Sequence, residues 1–101
     1  MLDKLGGGMF GALGDQMQKM QADLERQEIE GSVAGGKVRI KMNGAQHVMA
    51  VRIDPVLMND REMLEDLLAA ALNDAVRQSK ELAAQQTARM MASMGLPPGM
   101  F

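Results

Sequence analysis

Cysteine is absent from this chain of 101 residues, and His47 is its only histidine. These absences exclude thiolate nucleophiles, disulfides, iron–sulfur clusters and zinc sites built from cysteine and histidine. No apolar run approaches the roughly 18 to 20 residues that a membrane-spanning helix needs, and the N-terminal segment is too rich in glycine for a secretory signal. The sequence therefore predicts a cytoplasmic protein with no membrane association, no metal and no cofactor.

Tryptophan and tyrosine are also absent, and the only phenylalanines are Phe10 and Phe101. Proteins that bind RNA or single strands usually stack the bases on aromatic side chains, so this mode of binding is disfavoured. Methionine, in contrast, occurs 12 times. Its flexible thioether side chain suits irregular contacts between packed elements and also adaptable binding surfaces.

The length of the chain fits a single domain. Residues 1–11 are predicted to form a flexible, glycine-rich lead, because glycine gives a helix little support. The run Gly6–Gly11 matches the dinucleotide-binding pattern G-x-G-x-x-G, but no strand precedes it, so that function is disfavoured. Residues 12–94 are predicted to form one domain, and residues 95–101, which contain two prolines, a flexible tail.

A first helix is predicted from about Ala12 to Gln27. One of its faces carries a narrow apolar stripe with spacings of four and three residues, formed by Leu13, Met17, Met20 and Leu24. A stripe of this width is typical of a helix that packs against one other helix.

Three short strands are predicted to follow. Glu28–Ala34 is a polar candidate for an edge strand, and Lys37–Met42 alternates between basic and apolar residues over its whole length. Val48–Ile53 supplies a returning strand, with Val51 and Ile53 on its apolar face. Consecutive antiparallel strands of this kind form a three-stranded meander.

The turn of the predicted hairpin begins at Asn43-Gly44, which is a strong short-range hairpin signal. A two-residue turn would place His47 opposite Ile40 on the core side, whereas a four-residue turn would place it beside the turn. The pattern leaves both registers open.

A second helix is predicted from about Asp60 to Met94, with Asn59 and Glu62 as a capping box. Its first half has a broad apolar face that suits packing on the sheet, formed by Leu64, Leu67, Leu68, Ala71, Leu72, Ala75 and Val76. Its second half is predicted to project beyond the sheet. The predicted fold class is therefore α+β: a helix, a three-stranded antiparallel meander and a long helix.

A small sheet with one helical cover leaves edges and apolar surface open. The chain is too short to cover them itself. We therefore expect a twofold homodimer in which the sheets join and helical arms project.

Charge is distributed unevenly along the chain, which carries a net charge of −2. The hairpin segment 37–53 contains bases and no acid, and both flanking segments are acidic. A second basic cluster lies on the predicted arm. The candidate phosphate-binding residues are Lys37, Arg39, Lys41 and Arg52 on the hairpin and Arg77, Lys80 and Arg89 on the arm. Solvated faces that discourage edge aggregation would give the same pattern.

Several segments form a recognisable combination: the hairpin at Asn43-Gly44, Val51–Pro55, Glu62–Ala75 and the tail Gly95–Gly99. Together with the Met/Gln-rich run Gln16–Gln21, they resemble the YbaB/EbfC family of bacterial nucleoid-associated proteins. The resemblance covers essentially the whole chain.

The resemblance implies a homodimer with an α+β body and paired helical arms that binds double-stranded DNA. The expected binding has low sequence specificity and alters the conformation of DNA, with roles in nucleoid organisation, gene regulation and DNA protection. Members of the family are thought to grip DNA with the arms, which favours Arg77, Lys80 and Arg89 over the hairpin. No enzymatic activity or small-molecule substrate is expected, and the expected location is the nucleoid.

An alternative function is that of a protein-binding adaptor or holdase chaperone, whose arms would grasp apolar polypeptide through methionine side chains such as Met17, Met20 and Met90. The simpler interpretation is that these methionines fill the contact between the two arm helices. A catalytic triad of His47, Asp54 and a serine is disfavoured, because the serines lack the sequence context of a nucleophile elbow.

Overall fold

The computed structural model describes the backbone of residues 2–95 and the side chains of residues 11–95. Its elements follow the predicted order of a helix, three strands and a long helix, so the α+β assignment is confirmed. They are α1 (Leu2–Arg26), β1 (Glu28–Val33), β2 (Val38–Asn43), β3 (Val48–Ile53) and α2 (Arg61–Ser93), with 3-10 turns at Ala34–Gly36 and Pro55–Asn59.

Helix α1 begins at Leu2, earlier than the expected start near Ala12. The glycines of its first turns weaken a helix by about 1 kcal/mol each but present no steric obstacle to one. The helix ends at Arg26, close to the predicted end at Gln27. The flexibility of residues 1–11 stays a prediction, and Met1 and residues 96–101 lie outside the described part of the chain.

The three strands form one antiparallel sheet in the order β1-β2-β3. Gly31, Ile40 and Val51 stand side by side across it and face the same side. Strand β2 begins at Val38 and not at Lys37, because Lys37 has a helical backbone conformation and closes the preceding 3-10 turn.

The turn between β2 and β3 contains four residues, so the two-residue alternative is wrong and His47 lies beside the turn. Asn43 determines this length. Its side-chain oxygen accepts hydrogen bonds from the backbone N–H groups of Ala45 and His47, both at 3.0 Å. An asparagine that bonds its own downstream backbone in this way closes a wider turn than the Asn-Gly signal alone suggests.

The core lies between one face of the sheet and the first half of α2. It is formed by Val38, Ile40, Met42, Leu57, Ala71 and Ala75. Helix α2 packs against β1 and β2 and lies directly on Gly31, where an added Cβ would stand 2.5 Å from the carbonyl oxygen of Ala71. The part of the same sheet face that β3 contributes is less well covered, and Val48 and Val51 remain about half exposed. Val51, which the pattern placed on the apolar face of this strand, is thus not buried within one chain.

Helix α2 is capped by Asp60, whose carboxylate accepts a hydrogen bond from the N–H of Met63 at 3.1 Å. The predicted capping box at Asn59 is therefore wrong by one residue, because Asn59 still belongs to the 3-10 turn. The helix contains 33 residues, which corresponds to about 50 Å at the usual rise of an α-helix. Its second half extends beyond the sheet as predicted and runs beside α1.

The turn after β2 ties α1 to the rest of the fold. The N–H of Gly44 lies 2.8 Å from the carbonyl oxygen of Leu24 and 2.9 Å from that of Gln27. The side-chain amide of Asn43 donates to the carbonyl of Glu25, and the buried hydroxyl of Ser79 donates to the carbonyl of Asn43. The last turn of α1, the hairpin and the middle of α2 are thereby connected through one buried asparagine.

Candidate nucleic-acid interface

The outer face of the sheet, which points away from α2, carries three of the predicted basic residues. Arg39 and Lys41 alternate with the core residues of β2, and Arg52 on β3 is the direct cross-strand neighbour of Arg39. The structure therefore brings Arg39, Lys41 and Arg52 together. Lys37 lies outside the strand, in the turn that precedes it.

Strand β1 places two acids on this same face. Glu30 lies 3.9 Å from the guanidinium of Arg39, and Glu28 lies 3.5 Å from the ammonium group of Lys41. All four side chains are about half exposed, so each pair contributes little to stability. The acids nevertheless reduce the positive potential of the hairpin, an effect that segment-wise charge counting missed because it depends on the strand register.

On α2, Arg77 is held between two carboxylates. Its guanidinium donates to Asp74 at 2.7 Å and to Glu81 at 2.8 Å. The pKa of Asp74 is lowered, and the hydrogen bond from Arg77 is the largest cause. Hydrogen bonds from the Ser32 N–H and the Gln78 side chain also lower this pKa, whereas burial raises it. The same contacts raise the pKa of Arg77, that with Asp74 most. The positive charge of Arg77 is thus paired with two negative charges.

The three predicted basic residues of the arm do not share one face of α2. Arg77 and Lys80 are three residues apart and lie on the same side of the helix, whereas Arg89 is nine residues beyond Lys80. Nine residues correspond to two and a half helical turns, so Arg89 and Lys80 point in opposite directions. The predicted arm cluster is therefore divided.

Arg89 lies in a groove between α1 and the distal half of α2. The groove has a volume of about 300 Å³, and it brings Lys19 of α1 to the same site. Its other lining residues are Gln16, Met20, Asp23, Gln86, Met90 and Ser93. Sequence reasoning missed Lys19 because its segment is acidic overall. The signal that could have found it is the antiparallel pairing of the two arm helices, which sets Lys19 beside Arg89.

No ion pair of the described residues involves Lys19, Lys37, Arg52, Lys80 or Arg89. These cations lie in two regions, the arms and the hairpin with its flanking turn. Both regions offer exposed positive side chains to an anion without first breaking a salt bridge.

The residues of the disfavoured triad have structural contacts of their own. The carboxylate of Asp54 accepts a hydrogen bond from the N–H of Val56, and the hydroxyl of Ser79 is buried against the Asn43 carbonyl. Within the part of the chain that the structure describes, no group of three or more histidine, aspartate or glutamate side chains could hold a metal ion. Neither described helix has an apolar stretch that would cross a membrane.

Comparison with known proteins gives the fold and the family. The crystal structure of the uncharacterized protein HP0035 from Helicobacter pylori has a similar fold, with a TM-score of 0.78 at 22% sequence identity. The similarity covers 84% of this chain and 91% of that one. The sequence profile of the YbaB/EbfC DNA-binding family matches residues 7–94. This match confirms the resemblance seen in the sequence: the chain belongs to the YbaB/EbfC DNA-binding family, a family of nucleoid-associated proteins and not a class of enzymes.

Proposed function

We propose that this protein is a nucleoid-associated homodimer that binds double-stranded DNA with low sequence specificity and alters its conformation. The observation that carries the proposal is the match of residues 7–94 to a DNA-binding family. The chain has exposed cations and no tryptophan or tyrosine on which bases could stack, so contacts to phosphates are favoured. Such contacts do not depend on the base sequence of the DNA. Organisation of the nucleoid, gene regulation and DNA protection are the roles that such binding would serve.

The two edges of the sheet differ in a way that supports a dimer. At the β1 edge, the Ser32 N–H donates to the carboxylate of Asp74 and the Glu30 carbonyl accepts from the side chain of Gln78. Side chains of α2 thus occupy two backbone groups of this edge. Strand β3 is the other edge of the sheet.

Along β3, the backbone N–H and C=O groups of successive residues alternate between facing β2 and facing away from the sheet. The N–H of Asp54 donates to the carbonyl of Lys37, so residues at even spacing from Asp54 bond to β2. The backbone groups of Val51 and Ile53 therefore point away from the sheet. Since the side chain of Val51 is also half exposed, a second copy paired along β3 would cover both the open edge and the apolar surface.

The mass of the protein in solution tests the dimer. Light scattering at micromolar concentration should give twice the chain mass of 10.9 kDa. Val51→Lys should shift the mass to that of one chain, because lysine introduces a charge at the joined edge. Ala69→Lys, at an exposed position of α2, is the matched control and should remain dimeric. A stable, folded single chain for the unmodified protein would contradict the dimer.

Salt dependence tests the mode of DNA binding. If about eight phosphates are neutralised per dimer, the logarithm of the binding constant should fall against the logarithm of the salt concentration with a slope of roughly −7. Fluorescence anisotropy with two duplexes of unrelated sequence should give similar affinities. A flat salt dependence, or strong binding to one duplex alone, would contradict contacts that read phosphates only.

Three variants distinguish the arms from the hairpin. Lys19→Gln/Arg89→Gln changes the arm groove, and Arg39→Gln/Arg52→Gln changes the outer sheet face. Each double variant would remove about four contacts per dimer and lower the salt slope by about four if its region binds DNA.

Arg61→Gln removes an exposed arginine that is already paired with Glu65, and it is the control. Its affinity should match that of the parent. We expect the arm variant to lose more affinity than the hairpin variant, because Arg39 is paired with Glu30 whereas Lys19 and Arg89 form no ion pair among the described residues. The reverse order would locate the DNA on the sheet.

The exposure of Met17 and Met94 favours the holdase as a second candidate function. Suppressed aggregation of an unfolded client protein at high salt, without any DNA binding, would favour it over the first. Met17→Ser/Met94→Ser should then lose the suppression, and DNA binding should be unaffected by that variant if the first proposal holds.

A further inference from the structure

Methionine is the only sulfur-containing residue of this chain, and its side chains occupy very different environments. Met42 is buried in the core, where it is only 2% exposed. Met58 and Met63 lie on the surface beside the start of α2. Met20 and Met90 are half-buried and line the groove between the two arm helices. Met20 and Met90 are therefore methionines at a contact between helices that remains open to solvent.

The contact between the arm helices depends on side-chain packing. Among the described residues, the hydrogen bond between α1 and α2 is a weak one, from the hydroxyl of Thr87 to the sulfur of Met20 at 4.0 Å. The same hydroxyl lies 3.0 Å from the carbonyl of Ala83 on its own helix. Among the described residues, the backbone of α1 is hydrogen-bonded to the hairpin at its last turn, through the carbonyls of Leu24 and Glu25.

Oxidation would change this contact directly. A sulfoxide replaces an apolar, flexible thioether by a polar group that needs a hydrogen-bond donor. Such a group packs less favourably against the partner helix than the thioether does, and it is drawn toward the solvent and the polar side chains that line the groove. Oxidation of the half-buried Met20 therefore weakens the packing of α1 on α2 above the last turn of α1.

We propose that Met20 and Met90 form a reversible oxidation site for hydrogen peroxide or hypochlorous acid, and that oxidation there releases α1 from α2. With peroxide, the thioether sulfur donates an electron pair to one peroxide oxygen, the O–O bond breaks, and the products are a sulfoxide and one water molecule. The sulfur is oxidised by two electrons and the peroxide is reduced by two. Methionine sulfoxide reductases reverse the change.

A consequence for DNA rests on the proposed function. Lys19 of α1 and Arg89 of α2 both line this groove, so release of α1 separates two of the cations assigned to the arms. Oxidation would then weaken DNA binding without changing any charged residue.

The test uses the full chain and needs no DNA for its main result. The protein is treated with hydrogen peroxide, and peptide mass spectrometry follows the oxidation of each methionine with time. Hydrogen exchange then compares residues 12–23 of α1 with β2. We expect Met20 and Met90 to be oxidised well before Met42, and exchange in α1 to accelerate about tenfold while exchange in β2 is unchanged.

Two matched variants distinguish the methionines of the groove from methionines elsewhere on the surface. Met20→Leu/Met90→Leu keeps the apolar contact, since Leu and Met have similar volume, and should keep its α1 protection after peroxide. Met58→Leu/Met63→Leu should lose that protection as the parent does. Treatment of oxidised parent protein with methionine sulfoxide reductases should restore it.

Oxidation of Met20 and Met90 no faster than that of Met42 would overturn the proposal. Loss of the hydrogen-exchange protection of α1 in the Met20→Leu/Met90→Leu variant after peroxide treatment would overturn the proposal as well. DNA titration of the same samples is a separate measurement: released arms with unchanged DNA affinity would support the oxidation site and contradict the assignment of the DNA contacts to the arm groove.

Discussion

The close approach of α2 to Gly31 predicts a large effect of a single methyl group. In Gly31→Ala, the new Cβ would stand 2.5 Å from the carbonyl oxygen of Ala71, 2.7 Å from the backbone nitrogen of Ala75 and 2.9 Å from its Cβ. Non-bonded carbon contacts are favourable only at about 3.5–4.0 Å, so the helix would have to move by about 1 Å. Two of the three neighbours are backbone atoms, which no rotamer change removes.

We expect Gly31→Ala to lower the free energy of unfolding by about 3 kcal/mol, the upper part of the usual range for an overpacked core. With a urea dependence of about 1.5 kcal/mol per molar, the midpoint of unfolding would fall by about 2 M. Urea titration at one fixed protein concentration is the assay, because association makes the midpoint depend on concentration.

Two further variants test the reasoning itself. Gly14→Ala makes the same substitution in α1, where an added Cβ meets no atom within 4 Å. It should leave stability unchanged or raise it by up to about 1 kcal/mol through helix propensity. Gly31→Ala/Ala75→Gly removes the side-chain clash and leaves both backbone clashes, so it should not restore stability. A Gly31→Ala midpoint equal to that of the parent would refute the argument.

Three other perturbations test the contacts around the hairpin and α2. Gly44→Ala would place a Cβ 2.8 Å from Leu24 Cδ2, 2.9 Å from the Leu24 carbonyl oxygen and 3.1 Å from Leu82 Cδ2 of α2. The backbone clash is with α1, whereas Leu82 meets the new Cβ with the end of a flexible side chain, so hydrogen exchange should accelerate more in α1 than in α2. Unchanged α1 protection would contradict the attachment of α1 at Gly44. Ser79→Ala should lower the free energy of unfolding by about 1–2 kcal/mol in urea titration, because the Asn43 carbonyl loses its buried donor. The exposed Ser93→Ala is its control, and equal effects would argue against the bond. The pKa of Asp74 is lowered by folding, so its contribution to stability is present above the unfolded pKa near 4 and is lost as the pH falls through the lower folded value. The melting temperature of Asp74→Asn should therefore fall less than that of the parent between about pH 4 and pH 2. Equal falls in the two melting temperatures would contradict a lowered pKa of Asp74.

The order of the elements could be predicted because it rests on local patterns. The alternation around Val38 and Ile40 indicates a strand whatever lies beside it, and the apolar face around Ala71 and Ala75 indicates a helix on a sheet. The helix start near Ala12 was wrong because the many glycines make the helix less stable without forbidding it.

The features that could not be predicted depend on contacts between distant residues. Asn43 reads as a hairpin residue in the sequence, but its role depends on Glu25 and on Ser79, 36 positions away. The neutralisation of Arg39 by Glu30 requires the register of β1 against β2. Lys19 becomes a candidate site residue only when the two arm helices are paired, because charge counting along the chain treats them as separate segments.

The side chains of Asp74 and Gln78 limit how far this sheet can extend. A sheet with two free edges can keep adding strands, and this unlimited growth is the route to fibres. Here side chains of α2 hydrogen-bond to two backbone groups of one edge, so strand pairing is disfavoured there and favoured at the other edge. If two chains join along β3 as proposed, both outer edges of the six-stranded sheet are β1 strands covered in this way, which disfavours pairing with a third chain.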